Sequence, residues 1–436
     1  METQEVNVSV FTSVHAAAGS PETRLLSTFK KDTHARKAYL AGRGESYADL
    51  FKKRYVFIPT SCIDFWTSSQ RNDVMSNIVY YSEEGKTFDL RLVRKIKQQL
   101  NADPTTRPEY PSSLGLTEFN RRAAEVALGK SSRVLSVQTP GFTAAVRLGA
   151  EFLRHWFDVS AAWYSLAGIF QAAGIQDIRE YYYWDDKQRG VCLDKLLEDL
   201  EKAPEQSVVV LSASSHYPTG IIICRLITLS QRRRLFPFLL LPPQALRYGD
   251  LEREAWPVQY CASQGMELLL AQSFAHCFGL YGEAVGHLLC VLKQNSLLLS
   301  VRSQADKIVR SLWAQPSVGG AHVVATVLSN PAHLVEWKEE VKCIVERLML
   351  IREILRERLR LLGTPGCWDH LTQQGGLYCC TGLNGEEQVE FLSKRRHVYL
   401  LPSGCLNVSA INGRNLDYIA ESIHLALTTS LSPCGF

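Results

Sequence analysis

The sequence predicts an α/β protein: a large, mostly parallel sheet covered by helices on both faces, and a smaller α+β unit joined to it by a long helix. Three observations lead there. Continuous apolar runs such as Val208–Leu211 have no polar alternation, as expected of strands buried on both faces. Such runs alternate with segments of helical period, the pattern of strand–helix–strand units. Residues 333–362 then place Trp337, Val341, Ile344, Val345, Leu348, Ile351 and Leu355 at the three- and four-residue spacing of one buried stripe.

In chain order, residues 1–35 are polar and mixed and read as an N-terminal arm. Residues 89–343 form the large domain, and 36–88 with 344–436 form the small one. Residues 55–86 show no clear period and read as an insertion. Helices are predicted at Leu90–Leu100 and at Thr117–Leu128, the second with Asn120 and Arg121 on its polar face. A strand over Arg133–Thr139 leads through a glycine turn into a helix over Ala144–Trp156. Further buried strands are predicted at Gln206–Ala213, Leu268–Phe274 and His287–Leu292. Beyond the long helix come a helix at 385–394, strands at 397–402 and 406–411, and a helix over Asn415–Thr428.

Composition narrows the function classes. Hydrophobic residues make up 46% and charged residues 21%, as in an ordinary globular protein. A formal charge of +4 over 436 residues gives no footprint for nucleic acid, and Arg232–Arg234 and Lys394–Arg396 read as solvated faces. No zinc-type cluster or C-x-x-C pair occurs among the twelve cysteines, which read as buried thiols in a reducing compartment. The N-terminus has no secretory h-region, and the longest apolar run, Leu235–Pro243, is too short to span a membrane. A cytoplasmic protein without membrane contact is expected.

Specific segments carry more. EYPSSLGLTEF (109–119), APEQSVVVLSAS (203–214), HYPTG (216–220), AQSFAHCFGLY (271–281) and HVYLLPSGCLNVSA (397–410) resemble the cytosolic aspartate aminotransferases, fold-type I pyridoxal-phosphate enzymes. The likeness is dispersed in order along the chain and is nearest to a divergent cytoplasmic branch of that family. It implies the fold-type I aminotransferase architecture and transamination between L-aspartate and 2-oxoglutarate. It also implies a homodimer whose active sites draw on both chains.

Residue by residue, the resemblance implies a loss of that chemistry. The family's reaction needs a primary amine that forms an imine with the cofactor and then moves the Cα proton. At the lysine position this chain has His276, and the next lysine is Lys293. Imidazole forms no stable imine, although it can carry a proton. The aspartate that keeps the pyridine nitrogen protonated is Leu240, and an apolar neighbour favours the neutral ring. The tyrosine at the phenolic oxygen is Pro243, and the asparagine beside it is Tyr217.

The phosphate grip is thinned as well. The family arginine eight residues after the lysine is Ala284, which removes a bidentate guanidinium contact. The turn Thr139–Thr143 keeps Gly141 and Thr143 at a helix start, a generic anion site, but carries Phe142 where the family has a second glycine. Ser273 keeps its phosphate-binding position, and Trp163 matches the tryptophan that stacks on the cofactor ring. The stretch from Phe157 to Ala161 is shorter than in the family, so a strand of the sheet is expected to be missing or remade.

Of the two substrate carboxylate contacts, the α-carboxylate arginine is Cys405 and the side-chain carboxylate arginine is kept as Arg310. The turn at Leu40–Arg43 has an arginine at a family glycine. Tyr110 and Arg310, which the family hands across the dimer interface, both survive. These matches imply pyridoxal phosphate held, if at all, without a lysine imine, and a weak or inactive homologue acting through dimerisation or ligand binding. The implied partners are a second copy, the authentic cytosolic enzyme in a heterodimer, and a dicarboxylic amino or keto acid. The alternative is residual transaminase or racemase activity with noncovalent cofactor and His276 as base.

Overall fold

The computed structural model describes residues 18–19, 21–40, 47–48, 80–87, 89–104, 109–129, 134–156, 162–163, 167–179, 181–182, 184–185, 190–213, 220–241, 245–383, 386–401 and 404–429. Helix α1 (Pro21–Lys31) precedes strand β1 (Ala38–Tyr39). Helices α2 (Arg91–Ala102) and α3 (Thr117–Leu128) lead to β2 (Val134–Pro140) and α4 (Phe142–Trp156). Then come β3 (Ala162–Trp163), β4 (Val208–Ser212), α5 (Gly220–Arg232), β5 (Phe236–Leu241), α6 (Leu251–Ser263), β6 (Leu268–Ser273) and β7 (Val285–Val291).

These strands form one six-stranded sheet in the order β2-β7-β6-β5-β4-β3. Its strands run parallel except β7, which is antiparallel to both neighbours. The carboxyl ends of β2, β4, β5 and β6 therefore share one edge with the start of β7, the edge where sheets of this kind place ligands. Val208, Val209 and Val210 are fully buried, as their unbroken apolar run predicts. Each such side chain contributes about 1.5–3 kcal/mol relative to exposure.

Helices α7 (Leu298–Leu312) and α8 (Gly319–Ser329) precede α9 (Pro331–Leu361), the long helix. Its start is set locally. The Asn330 side chain accepts hydrogen bonds from the N–H groups of Ala332 and His333, and Pro331 occupies the first turn, where no N–H is needed. All seven residues of the predicted stripe are buried. The chain ends in a smaller unit built from β8 (Tyr378–Cys380), α10 (Glu386–Arg395), β9 (Val398–Tyr399), β10 (Cys405–Asn407) and α11 (Leu416–Thr429). There β9 pairs with β1 in parallel, and β8 pairs with β10 antiparallel.

Three expectations are corrected. Asn120 is not on the polar face of α3; it is buried, and its amide donates to the Leu114 carbonyl at 2.7 Å. The two strands predicted near the C-terminus are shorter than expected. Pairing stops after Tyr399 in the first, and after Asn407 the second turns into a short 3-10 helix over Val408–Ala410, where the Asn407 side chain accepts from Ser409 N–H. The cysteines are not all thiols, since Cys380 and Cys405 form a disulfide. The edge strand beside the shortened stretch is only two residues long. Residues 157–161, most of the 55–86 segment and the turn at 41–43 lie outside the described residues.

Candidate functional site

The edge formed by the ends of β2 and β6 and the start of β7 brings several of the predicted residues together. Thr139 and Ser273 lie on either side of Gly286 in the ladder, and Pro140 is opposite Val285. A Cβ on Gly286 would stand 2.2 Å from the Gly141 carbonyl oxygen, so the close approach of these strand ends requires glycine there. Gly141 turns the chain from β2 into α4 with φ of +91°, and its Cα faces Ala284, 3.5 Å from where a Cβ would stand. Ala284, where the resemblance puts an arginine, thus sits directly against the turn that begins α4. Thr143 lies in the first turn of α4. Phe142 is 2% exposed and belongs to the hydrophobic core, so its ring is directed inward.

The segment after β6 is a tight, buried turn. Phe274 N–H donates to Val285 O at 2.9 Å, Leu280 N–H to Ala275 O at 2.8 Å, and Gly279 N–H to His276 O at 3.3 Å. Trp337 of α9 holds the turn from behind. Its indole N–H donates to the Cys277 carbonyl at 3.1 Å, and its ring stacks on Phe278 at 4.7 Å. Within the turn, Ser273 Oγ and His276 Nδ1 are 3.2 Å apart, and both residues are buried. Burial raises the Cys277 thiol above its ordinary range, which keeps it protonated and unreactive.

Leu240 is fully buried near the carboxyl end of β5, between Ser212 of β4 and Ala271 of β6. The resemblance puts at this position the acid that faces the cofactor's ring nitrogen, and a leucine occupies it. The chain after β5 is held by Glu254, a buried residue of α6 that sequence reasoning did not single out. Its carboxylate accepts from the N–H groups of Ala245, Arg247 and Tyr248 at 2.7–2.9 Å. Burial outweighs these three donors and pushes its pKa up to about 7. Tyr217 and Pro243 lie outside the described residues, as does the side chain of Trp163.

The residues expected to serve a partner subunit lie apart from this turn. Tyr110 is 90% exposed. Arg310, on α7, is exposed and bonds Asp306 at 2.8 Å; Asp306 also accepts from Ser113 Oγ. Arg310, then Ser113, hold the Asp306 carboxyl below its usual range. Cys405 is fully buried on β10 and bonded to Cys380. No signal in the sequence pairs two cysteines 25 residues apart; the antiparallel register does.

A sheet of this topology with a site built around the turn after β6 defines a fold-type I aminotransferase, and the comparisons agree. Residues 77–423 match the aminotransferase class I and II family, to which the chain belongs. The chain is 43% identical to the cytoplasmic aspartate aminotransferase of Gallus gallus over 371 residues, covering 80% of this chain and 90% of that one. A Bos taurus protein named as a second cytoplasmic aspartate aminotransferase is 35% identical over 436 residues, covering 96% and 97%. An aromatic-amino-acid aminotransferase from Burkholderia pseudomallei, covalently bound to pyridoxal phosphate, superposes with a TM-score of 0.84 at 27% identity, covering 96% and 100%.

The family thus implies pyridoxal phosphate, and the residues present do not fit its covalent use. Where the resemblance puts the amine, the acid and the guanidinium, this chain has a buried imidazole, a buried leucine and an alanine. Thr143 at the start of α4 and Ser273, which the resemblance gives to phosphate binding, are both present.

Proposed function

We propose that this chain is an aspartate aminotransferase homologue without transaminase turnover, acting through dimerisation or through binding of a dicarboxylic amino or keto acid. The observation that carries the reading is His276. It occupies the amine position in a buried turn, in contact with Ser273, and cannot form an imine. Lys293 does not replace it. It follows β7, whose seven residues place it at the opposite edge of the sheet, roughly 20 Å from the turn at the usual strand rise.

The cytoplasm is the proposed location, given that relatives are named cytoplasmic. Among the described residues no helix is long and apolar enough to cross a membrane. The proposed assembly is a homodimer. Exposed Tyr110 and Arg310 suit residues presented to a second subunit, and for the same reason the authentic cytosolic enzyme is a candidate partner. Residual transamination or racemisation is the second reading, favoured by the Ser273–His276 contact, which leaves an imidazole where a proton must move.

The test is aspartate–2-oxoglutarate turnover by the purified chain with excess pyridoxal phosphate. The reading expects the rate of a heat-denatured control. Turnover at the level of an active relative would overturn it, and a low rate abolished by His276→Ala would establish the second reading.

A further inference from the structure

Cys380 and Cys405 face each other directly in the antiparallel pair β8–β10, with Cα atoms 4.2 Å apart. They occupy a narrow, non-hydrogen-bonded rung of the ladder, where side chains approach most closely. The backbone bonds around them run elsewhere. Cys380 N–H donates to Gln374 Oε1 at 2.8 Å, while its carbonyl accepts from Gln374 Nε2 at 2.9 Å. The Cys405 carbonyl accepts from Leu401 N–H at 3.0 Å, and on the next rung Thr381 N–H donates to Gly404 O at 3.2 Å. Of these contacts, the Thr381–Gly404 bond joins the two strands, and the others tie each strand to its own neighbours without using the sulfurs. The two ends also differ in access: Cys405 is fully buried, and Cys380 is half-buried.

We propose that Cys380 and Cys405 form a reversible thiol–disulfide switch at the position the family gives to its substrate α-carboxylate arginine. A disulfide in a cytoplasmic protein is ordinarily transient and redox-sensing rather than structural. The oxidant is hydrogen peroxide. The more accessible Cys380 thiol attacks one peroxide oxygen, giving a sulfenic acid and one water. The Cys405 thiol then attacks the sulfenic sulfur, closing the bridge and releasing a second water. The reductant is a dithiol. One of its thiols attacks the Cys380 sulfur and frees Cys405 as a thiol. Its second thiol displaces Cys380, and the reductant leaves as its own disulfide. Cys379 stays out of this exchange. It projects to the other face of β8 toward Arg352, and burial raises its thiol above the ordinary range.

The inference rests on the function proposed above for the cytoplasmic setting and the role of the position, but its readout needs no cofactor. The full chain is equilibrated in glutathione buffers of graded ratio, quenched in acid, unfolded, alkylated and mapped. Cys380 and Cys405 are expected to lose alkylation together in one two-electron transition, and to regain it when dithiothreitol is added to the folded protein. Cys379 stays alkylated throughout. Cys380→Ser is expected to abolish the peroxide-induced loss of Cys405 labelling. Alkylation of both cysteines at every ratio would overturn the proposal. So would a bridge that dithiothreitol opens only after unfolding, since that bridge would be structural. A lysine adduct with the cofactor would defeat the functional reading while leaving these thiol measurements intact.

Discussion

Ser273 Oγ lies 3.2 Å from His276 Nδ1 inside the turn that Trp337 braces through the Cys277 carbonyl. The resemblance puts the family's covalent chemistry on this turn, and here a hydroxyl–imidazole contact lies within it.

If that contact is structural, removing it costs stability and not catalysis. His276→Ala is expected to destabilise the fold by about 1–3 kcal/mol, combining a weakened buried polar contact with the space left by the ring. Urea unfolding measures the loss. Exchange of the α-proton of aspartate, followed by NMR in deuterated buffer, is expected to be unchanged; a fall in that exchange would mark His276 as a working base.

Leu240 offers the converse test. It is fully buried between β4 and β6, so Leu240→Asp places a carboxyl group at a fully buried position. The substitution is expected to destabilise this chain by more than about 3 kcal/mol. Loss of soluble yield, or a lower midpoint in denaturant, checks this. Unchanged stability would mean that the site still accommodates the acid.

Glu254 predicts a pH dependence. Its folded pKa of about 7 lies above the ordinary 4.5, so the unfolded chain releases this proton first as pH rises. The contribution of Glu254 to stability is therefore full below about pH 4.5 and declines as pH rises toward 7. Glu254→Gln is expected to flatten that part of the stability–pH curve. It should also cost about 1–3 kcal/mol at low pH, because its amide meets the Ala245 N–H donor to donor.

Asp32 predicts the opposite slope. The Tyr399 hydroxyl at 2.6 Å, the His34 N–H at 2.8 Å and His397 at 2.7 Å hold its carboxylate at a pKa of about 2, below the ordinary 3.8. Its contribution is present above about pH 4 and is lost as pH falls toward 2. This group ties the end of α1 to β9. Hydrogen exchange in Pro21–Lys31 is expected to rise relative to the sheet over that window. In Asp32→Asn, α1 should exchange quickly at every pH.

What the sequence made legible follows from physical scale. The buried stripe of α9 and the unbroken run Val208–Leu211 were readable because periodicity reports burial directly. The convergence of Gly141, Ser273, His276 and Ala284 followed only from family resemblance, because it depends on β7 running against its neighbours. Asn120 was misread because an amide within a helix looks solvent-facing until a carbonyl such as that of Leu114 is folded over it. Glu254 looked like an ordinary acid in a helix's first turn, since its burial depends on the turn at 245–248 closing above it. The Cys380–Cys405 pair depends on strand register, which composition does not encode.

The most direct test is reduction with borohydride after incubation with pyridoxal phosphate, followed by intact mass and peptide mapping at limiting cofactor. No stoichiometric adduct is expected on the wild-type chain, and one is expected on His276→Lys, at residue 276. A stoichiometric adduct on a wild-type lysine would contradict it. Lys97 is the lysine to watch, because its ammonium lies 2.7 Å from Glu283, the residue before Ala284.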